Sequence, residues 1–414
     1  MSLAEVPLVL MLVGLSAYAV LGGADFGAAF WQLAARGERR SVLREHAYRA
    51  IGPVWEANHV WLVFVLVVCW TAYPLVFASI FSTLTIPLFV AALGIILRGT
   101  AYAVHAGTAR EIERRAVDGV FSLSSILTPF ALGTAVGAIA SGRVPVGNAS
   151  GDLVTSWLNP SSLTIGCLAV ATGGYVAAVY LAGDAARAGL DDVATAFRMR
   201  ALGAGAVTGA VAFSALAVVA VDAGRVGDRL LEWPALAAVV ASAAAGLATL
   251  TLVHRYRFEA ARYGASTAVA CVVLGWALAQ RPELLPGLSV EEAAAGRPTL
   301  LATVVSVAVG AVVVVPALAL LFGLVLRGRF DRQPAAGVAH VAPKRGSRGR
   351  AASQGRIAAG VGVAGGGMML VFDGGPFLAI GVLALLAAVA FGSLALVAAA
   401  VADGQADESS VGGC

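Results

Sequence analysis

Charged residues are scarce in this 414-residue chain, where they make up 13% of the sequence, against roughly a quarter in soluble domains. Hydrophobic residues make up 59%, and the mean hydropathy is +0.86. This composition excludes a soluble globular fold and predicts an all-α polytopic membrane protein. Lysine is almost absent, since 27 of the 28 basic residues are arginine.

Cysteine and histidine are also rare. The four cysteines, Cys69, Cys167, Cys271 and Cys414, are far apart, and neither a Cys-x-x-Cys motif nor a Cys/His pairing occurs. This pattern excludes the metal sites that have a familiar ligand spacing. Of the five histidines, only His59 falls well inside an apolar stretch. A haem site with two axial histidines at membrane depth is therefore not expected on this chain.

Long apolar stretches dominate what remains. Nine of them are near the length that spans a hydrocarbon core of about 30 Å. They lie at residues 6–35, 53–72, 75–97, 119–140, 162–182, 201–221, 234–253, 266–279 and 299–326. The stretch at 266–279 is short and needs flanking residues to reach across. The sequence thus predicts a core domain over residues 1–326 with nine transmembrane helices.

The C-terminal part has a different composition. Residues 327–356 form a basic linker with proline and glycine, which is predicted to lie along the anionic inner leaflet. Two apolar stretches follow, at 357–372 and 377–402, and they predict an extra transmembrane hairpin and a short tail over residues 357–414. For the first stretch, a re-entrant or interfacial helix is the alternative because of its length.

Basic residues are distributed unequally between alternate loops. Twenty-three basic residues follow the first, third, fifth, seventh and ninth predicted helices, and five lie in the other loops. The positive-inside rule therefore places the N-terminus outside and the arginine-rich loops and the C-terminus in the cytoplasm. The pI near 9.0 reflects this topology, and no nucleic-acid partner is expected.

The most informative segment is IGPVWEANHVWLVFVLVVCWTA, which runs from Ile51 to Ala72 and opens with polar side chains. A carboxylate within a membrane helix costs about 2.5–3.5 kcal/mol on insertion scales, so Glu56 is a functional candidate. Asn58 and His59 follow it closely. Glu56 and His59 lie three residues apart, which puts both on one flank of a helix.

Two more charged groups are predicted at the same cytoplasmic depth. Asp25 lies about twenty residues into the first helix, Pro53 is expected to open the second helix just before Glu56, and Arg98 is expected to close the third. The alternatives are structural. Asp25 would hydrogen-bond the backbone of a neighbouring helix, and Arg98 would extend its side chain to the membrane surface.

The segment GPVWEANHVWL and the following residues to Arg98 resemble subunit II of the cytochrome bd-type quinol oxidases, in which a G-P-x-W-D/E-x-N-x-x-W-L element opens helix 2. The segment GGADFGAAF is similar to the D-G-F-D-L-G-V-G element of that family. The resemblance implies two four-helix bundles plus a peripheral helix. It also implies a heterodimer with subunit I, which ligates haems b and d, so that this chain ligates none. Quinol and dioxygen would be the substrates, in a bacterial plasma membrane.

The resemblance also implies roles for individual residues. Glu56 occupies the acidic position associated with proton uptake, and Asp25 and Arg98 match the family's charged positions on helices 1 and 3. With Asn58 and His59 they form the predicted proton pathway. Two tryptophans, Trp55 and Trp61, are assigned to an oxygen route or to subunit contact.

The sequence also departs from the family pattern. Gly22 replaces one acid of the helix 1 element, Ala57 and His59 replace commoner residues, and residues 327–414 have no counterpart. Two other hypotheses stay open: a proton- or ion-coupled transporter of small solutes, and a purely structural assembly subunit. Transporters usually place coupling sites near the midplane on broken helices, whereas the acids here are predicted toward the cytoplasmic end, which favours an entry path.

Overall fold

The computed structural model describes residues 2–36, 40–105 and 111–326, together with seven single positions between 360 and 388. Within the helices, the side chains of residues 49–57, 105, 111–116, 318 and 321–326 are outside this description. The predicted C-terminal hairpin lies outside the described residues except for those seven positions. The chain divides into two compact units, residues 1–329 and 330–414.

The first unit is built almost entirely of helices. Their bounds are α1 Glu5–Ala34, α2 Arg40–Ala72, α3 Pro74–Thr83, α4 Thr85–His105, α5 Glu111–Ala140, α6 Pro160–Arg187, α7 Asp191–Asp222, α8 Arg225–Leu230, α9 Ala235–His254, α10 Phe258–Gln280, α11 Val290–Ala293 and α12 Arg297–Leu326. Two short antiparallel strands, β1 Glu283–Leu285 and β2 Leu288–Ser289, form a hairpin between α10 and α11.

The described residues contain eight helices that are long and apolar enough to cross a membrane, or nine if one bent pair counts as a single span. The prediction of an all-α polytopic membrane protein is therefore confirmed. The predicted short helix at 266–279 reaches a spanning length because α10 begins eight residues earlier, at Phe258.

The helices pack in an order close to their order in the chain. In the first half, α1 packs on α2 and α4 packs on α5. In the second half, α6 packs on α7 and α9 on α10, and α1 and α5 both contact α6. The last long helix, α12, contacts α2 and α1. Small residues allow this close packing: a Cβ atom at Gly27 would clash with the carbonyl oxygen of Gly173 on α6.

The apolar stretch at 75–97 does not form one helix. Pro74 occupies the first turn of the separate helix α3, which is bent by 119° from residues 58–72 of α2. Proline suits this position because the first-turn N–H would have no intrahelical partner. The hydroxyl groups of Ser79 and Ser82 accept hydrogen bonds from the backbone N–H groups of Gly147 and Ala149, at 2.9 and 2.8 Å, and so attach α3 to the loop after α5.

Helix α2 starts earlier than Pro53, where the sequence placed its beginning. It begins at Arg40, and its first turns bury Leu43 and Ala47 in the core shared with α6 and α7. Burial of this apolar face offsets the hydrogen bond that an interior proline removes. Glu56 consequently lies sixteen residues, or about 24 Å along the axis, into the helix rather than in its first turn.

Candidate functional site

A buried ion pair connects α4 to α1. The guanidinium group of Arg98 contacts the carboxylate Oδ1 of Asp25, and both side chains are completely buried. Arg98 also donates a hydrogen bond to the hydroxyl group of Ser125 on α5 and one of 3.3 Å to the backbone carbonyl of Asp25. Arg98 therefore does not extend to the membrane surface. It joins three helices in the interior.

Two aromatic rings enclose the guanidinium group. The Cζ atom of Arg98 lies 4.8 Å from the ring centre of Phe26 and 4.6 Å from that of Phe121. Cation–π contacts of this kind are worth about 2 kcal/mol or more where water is excluded. The rings and the carboxylate together compensate a charge that would otherwise be very costly at this depth.

The second helix brings polar groups to the same place. Asn58 is completely buried, and its amide lies beside Gly22, where a Cβ atom would be 3.1 Å from both the amide nitrogen and the amide oxygen. The absence of a side chain at Gly22 thus leaves room for Asn58. Asn58 and His59 both lie close enough to the carboxylate of Asp25 to interact with it.

Of the predicted site residues, the structure brings Asp25, Arg98, Asn58 and His59 into one cluster. Glu56 and Trp55 lie on α2 just before it, with their side chains outside the described residues. Trp61 lies further along α2, and its ring packs edge-to-face on Phe64 at a centroid distance of 6.3 Å.

Sequence reasoning missed two members of the cluster, Tyr18 and Ser125. Tyr18 lies seven residues before Asp25, which places both on one face of α1. That seven-residue spacing is the sequence signal that could have identified Tyr18. Ser125 carried no comparable signal, because its approach to Arg98 depends on how α5 is rotated against α4.

Several buried polar atoms of this cluster have no hydrogen-bond partner among the described residues. They are the hydroxyl group of Tyr18, Oδ2 of Asp25, both amide atoms of Asn58 and Nε of Arg98. Buried polar groups are nearly always satisfied by protein or by ordered water. Among the described residues, several unsatisfied polar atoms thus lie around this one ion pair.

Other ion pairs in the described part of the chain are more exposed. Asp222 at the end of α7 accepts two hydrogen bonds from Arg143, at 3.0 and 2.8 Å, and one of 2.6 Å from the hydroxyl group of Ser161. Its side chain is 20% exposed and that of Arg143 is 33% exposed. This arrangement connects the end of α7 to the start of α6 and gives protons no path into the interior. The Asp25–Arg98 cluster is therefore the candidate site.

Comparison with known proteins gives the family and the fold. The family model for cytochrome bd terminal oxidase subunit II matches residues 3–325. A solved structure entitled "The structure of bd oxidase from Geobacillus thermodenitrificans" is 24% identical to this chain, with a TM-score of 0.67, and the match covers 79% of this chain and 99% of the other. At this identity the solved structure supports the fold alone. A search of curated proteins returned no significant match. Because the family model covers most of the sequence, this chain belongs to the cytochrome bd terminal oxidase subunit II family.

Proposed function

We propose that this chain is the subunit II of a bd-type quinol:dioxygen oxidoreductase in a bacterial plasma membrane. In this proposal it supports a haem-bearing subunit I and supplies protons from the cytoplasm. The observation that carries the proton path is the completely buried Asp25–Arg98 pair with unsatisfied polar atoms around it. Reduction of one dioxygen to water consumes four protons, so an oxidase buried in lipid needs such a path.

The charges of the cluster fit a path lined by polar groups. One carboxylate faces one guanidinium, so the pair adds no net charge to the low-dielectric interior. Asn58 and Ser125 add neutral dipoles beside it. In this proposal Glu56 is the acid that takes protons from the cytoplasmic side and His59 lies one turn further along the same helix. Arg98 and Asp25 hold the polar surroundings in place.

Two histidines of the described chain, His46 and His254, make contacts within it, which supports the assignment of haems b and d to the partner subunit. Nε2 of His46 lies 3.0 Å from the carbonyl oxygen of Leu181, and Nδ1 of His254 lies 3.1 Å from the guanidinium group of Arg198. Both rings are thus engaged in contacts within this chain. Bound haem would supply electron transfer and dioxygen binding, and we assign quinol oxidation to the complex as well.

We propose that the two tryptophans near the site have an apolar role, as an oxygen route or a contact with subunit I. Trp61 supports this because its indole N–H is buried and has no hydrogen-bond partner among the described residues. An indole that interacts through its ring alone suits an apolar passage or a packed interface better than a polar one.

The orientation is part of the proposal. The N-terminus is placed outside, and the arginine-rich loops and the C-terminus are placed in the cytoplasm. A reporter fused after Arg49 or within residues 327–356 should be cytoplasmic, and one within residues 281–298 should be external. The reverse pattern would put Asp25 and Glu56 on the wrong side for cytoplasmic proton uptake.

Glu56 provides the test of the proton path. Glu56→Gln keeps the shape of the side chain but removes the titratable group, so we expect oxidase turnover to fall strongly, within the roughly 10²–10⁴-fold range of positioned acids and bases. Glu56→Asp is the matched control and should keep substantial activity, because it retains the acid. Both variants should assemble and keep the haem spectrum of the complex. Parental turnover of purified Glu56→Gln complex across pH 6–8 would refute the proton path.

A further inference from the structure

Tyr18 lies on α1, seven residues before Asp25, and is the residue of the cluster nearest the N-terminus of that helix. It is 92% buried, and its hydroxyl group has no hydrogen-bond partner among the described residues. A buried hydroxyl group without a partner costs free energy, and packing does not need it, since phenylalanine would fill the same volume. Its presence at this position therefore calls for a partner such as water.

The position of Tyr18 relative to the ion pair is specific. Tyr18, Gly22 and Asp25 follow the i, i+4, i+7 pattern, so they share one face of α1. Tyr18 also lies within electrostatic range of both Asp25 and Arg98. The residue between them on this face is Gly22, and the amide of Asn58 packs against it, where a Cβ atom would lie 3.1 Å from both amide atoms. Neither amide atom has a hydrogen-bond partner among the described residues.

We propose that ordered water bonds to the amide of Asn58 and to the hydroxyl group of Tyr18, and that Tyr18 thereby extends the proton path from Asn58 toward the interior of the complex. This inference rests on the proposed function. A hydroxyl group can relay a proton without becoming charged: its oxygen accepts a proton from one water while its own proton passes to the next. Asn58 and Oδ2 of Asp25 would hold the waters on the cytoplasmic side of Tyr18.

Tyr18→Phe removes only the hydroxyl group and is the test variant. Tyr175→Phe is its matched control, because Tyr175 is similarly buried on α6 and its hydroxyl group also has no hydrogen-bond partner among the described residues. In the purified complex, Tyr18→Phe should lower oxidase turnover by about tenfold, less than loss of a positioned acid, because water can partly replace a hydroxyl relay. Tyr175→Phe should keep the parental rate.

Two further readouts separate a proton relay from a packing role. Proton uptake after flash-initiated oxidation of the reduced complex should slow in Tyr18→Phe with an increased H₂O/D₂O rate ratio, while the haem spectrum stays parental. The melting temperature should stay level or fall, because the waters lose a partner. A rise in melting temperature together with parental turnover would mean a dry pocket and would overturn the proposal.

The outcome also separates this inference from the proposed function. If Glu56→Gln is impaired and Tyr18→Phe turns over at the parental rate, the proton path stands and Tyr18 is not part of it. If both variants turn over at the parental rate, the proton path itself is wrong. If Tyr18→Phe and Tyr175→Phe are impaired equally, the effect is general packing and the role of Tyr18 is refuted.

Discussion

Removal of one partner of the Asp25–Arg98 pair should destabilise the subunit strongly. Arg98→Met deletes the ion pair, the hydrogen bond to Ser125 and both cation–π contacts, and it leaves the carboxylate of Asp25 buried without its counter-ion. These losses are not additive, since they belong to one group. The dominant one is the unpaired buried charge, which typically costs about 3–5 kcal/mol.

The double variant isolates the pair itself. Asp25→Leu/Arg98→Met replaces two charges by apolar side chains, and such replacements are often neutral or even stabilising. We expect the double variant to be more stable than either single variant, with a coupling free energy of about 3 kcal/mol, at the upper end for residues in contact. Arg44→Met is the control, because its pair with Asp118 is 2.9 Å long but about a quarter exposed, and exposed pairs are worth about 0–1 kcal/mol.

The measurement is unfolding of the purified complex in mixed micelles with increasing sodium dodecyl sulfate, followed by tryptophan fluorescence. Arg98→Met should unfold at a clearly lower detergent fraction than Arg44→Met. The reasoning is refuted if Arg98→Met and Arg44→Met are equally stable. It is also refuted if the double variant is less stable than Arg98→Met by as much as Asp25→Leu alone destabilises the parental subunit.

Two further predictions concern packing and the strand hairpin. Gly27→Ala should destabilise the subunit by at least the roughly 1–3 kcal/mol of an overpacked core, because its Cβ atom would meet the backbone of Gly173. Gly23→Ala is the control and should be tolerated, because its Cβ atom would lie 3.5 Å from the same residue. Detergent-induced unfolding compares the two variants. The ion pair with Arg225 lowers the pKa of Glu283. The pair therefore stabilises the strand hairpin above the pKa of unfolded Glu283, and this stabilisation is lost as the pH falls through the pKa of folded Glu283. Amide exchange at 283–289 should rise below about pH 4, and Glu283→Gln should remove this pH dependence.

The meeting of Asp25 with Arg98 could be predicted from the sequence, because the sequence predicts both in helices that run in the same direction and at a similar depth. The scarcity of charge made each such residue informative. Tyr18 and Ser125 were not predicted, because hydroxyl groups cost little in a membrane helix and their use depends on helix rotation. Packing between α1, α4 and α5 sets that rotation, and the sequence periodicity does not specify it.

The helix boundaries show a similar limit. Hydropathy located α10 but not its first two turns, because charged residues such as Glu259 and Arg262 lie outside the apolar window. Pro53 was wrongly predicted to begin a helix, since α2 continues through it, whereas a new helix does begin at Pro74. The difference comes from tertiary burial: the turns before Pro53 bury apolar side chains that stabilise the helix on both sides of it.

Gly22 stands where the family resemblance implies an acid on helix 1, and the structure gives a reason for the glycine. An acidic side chain at this position would occupy the space where the amide of Asn58 now lies, and it would add a second negative charge beside a single guanidinium. With glycine there, the described cluster has one carboxylate for one guanidinium. In the proposed path Asp25 holds Arg98 and so keeps the cluster together, while other groups carry the protons. The proposed proton carriers are therefore the groups outside the pair: Glu56, the waters held by Asn58, and the hydroxyl group of Tyr18.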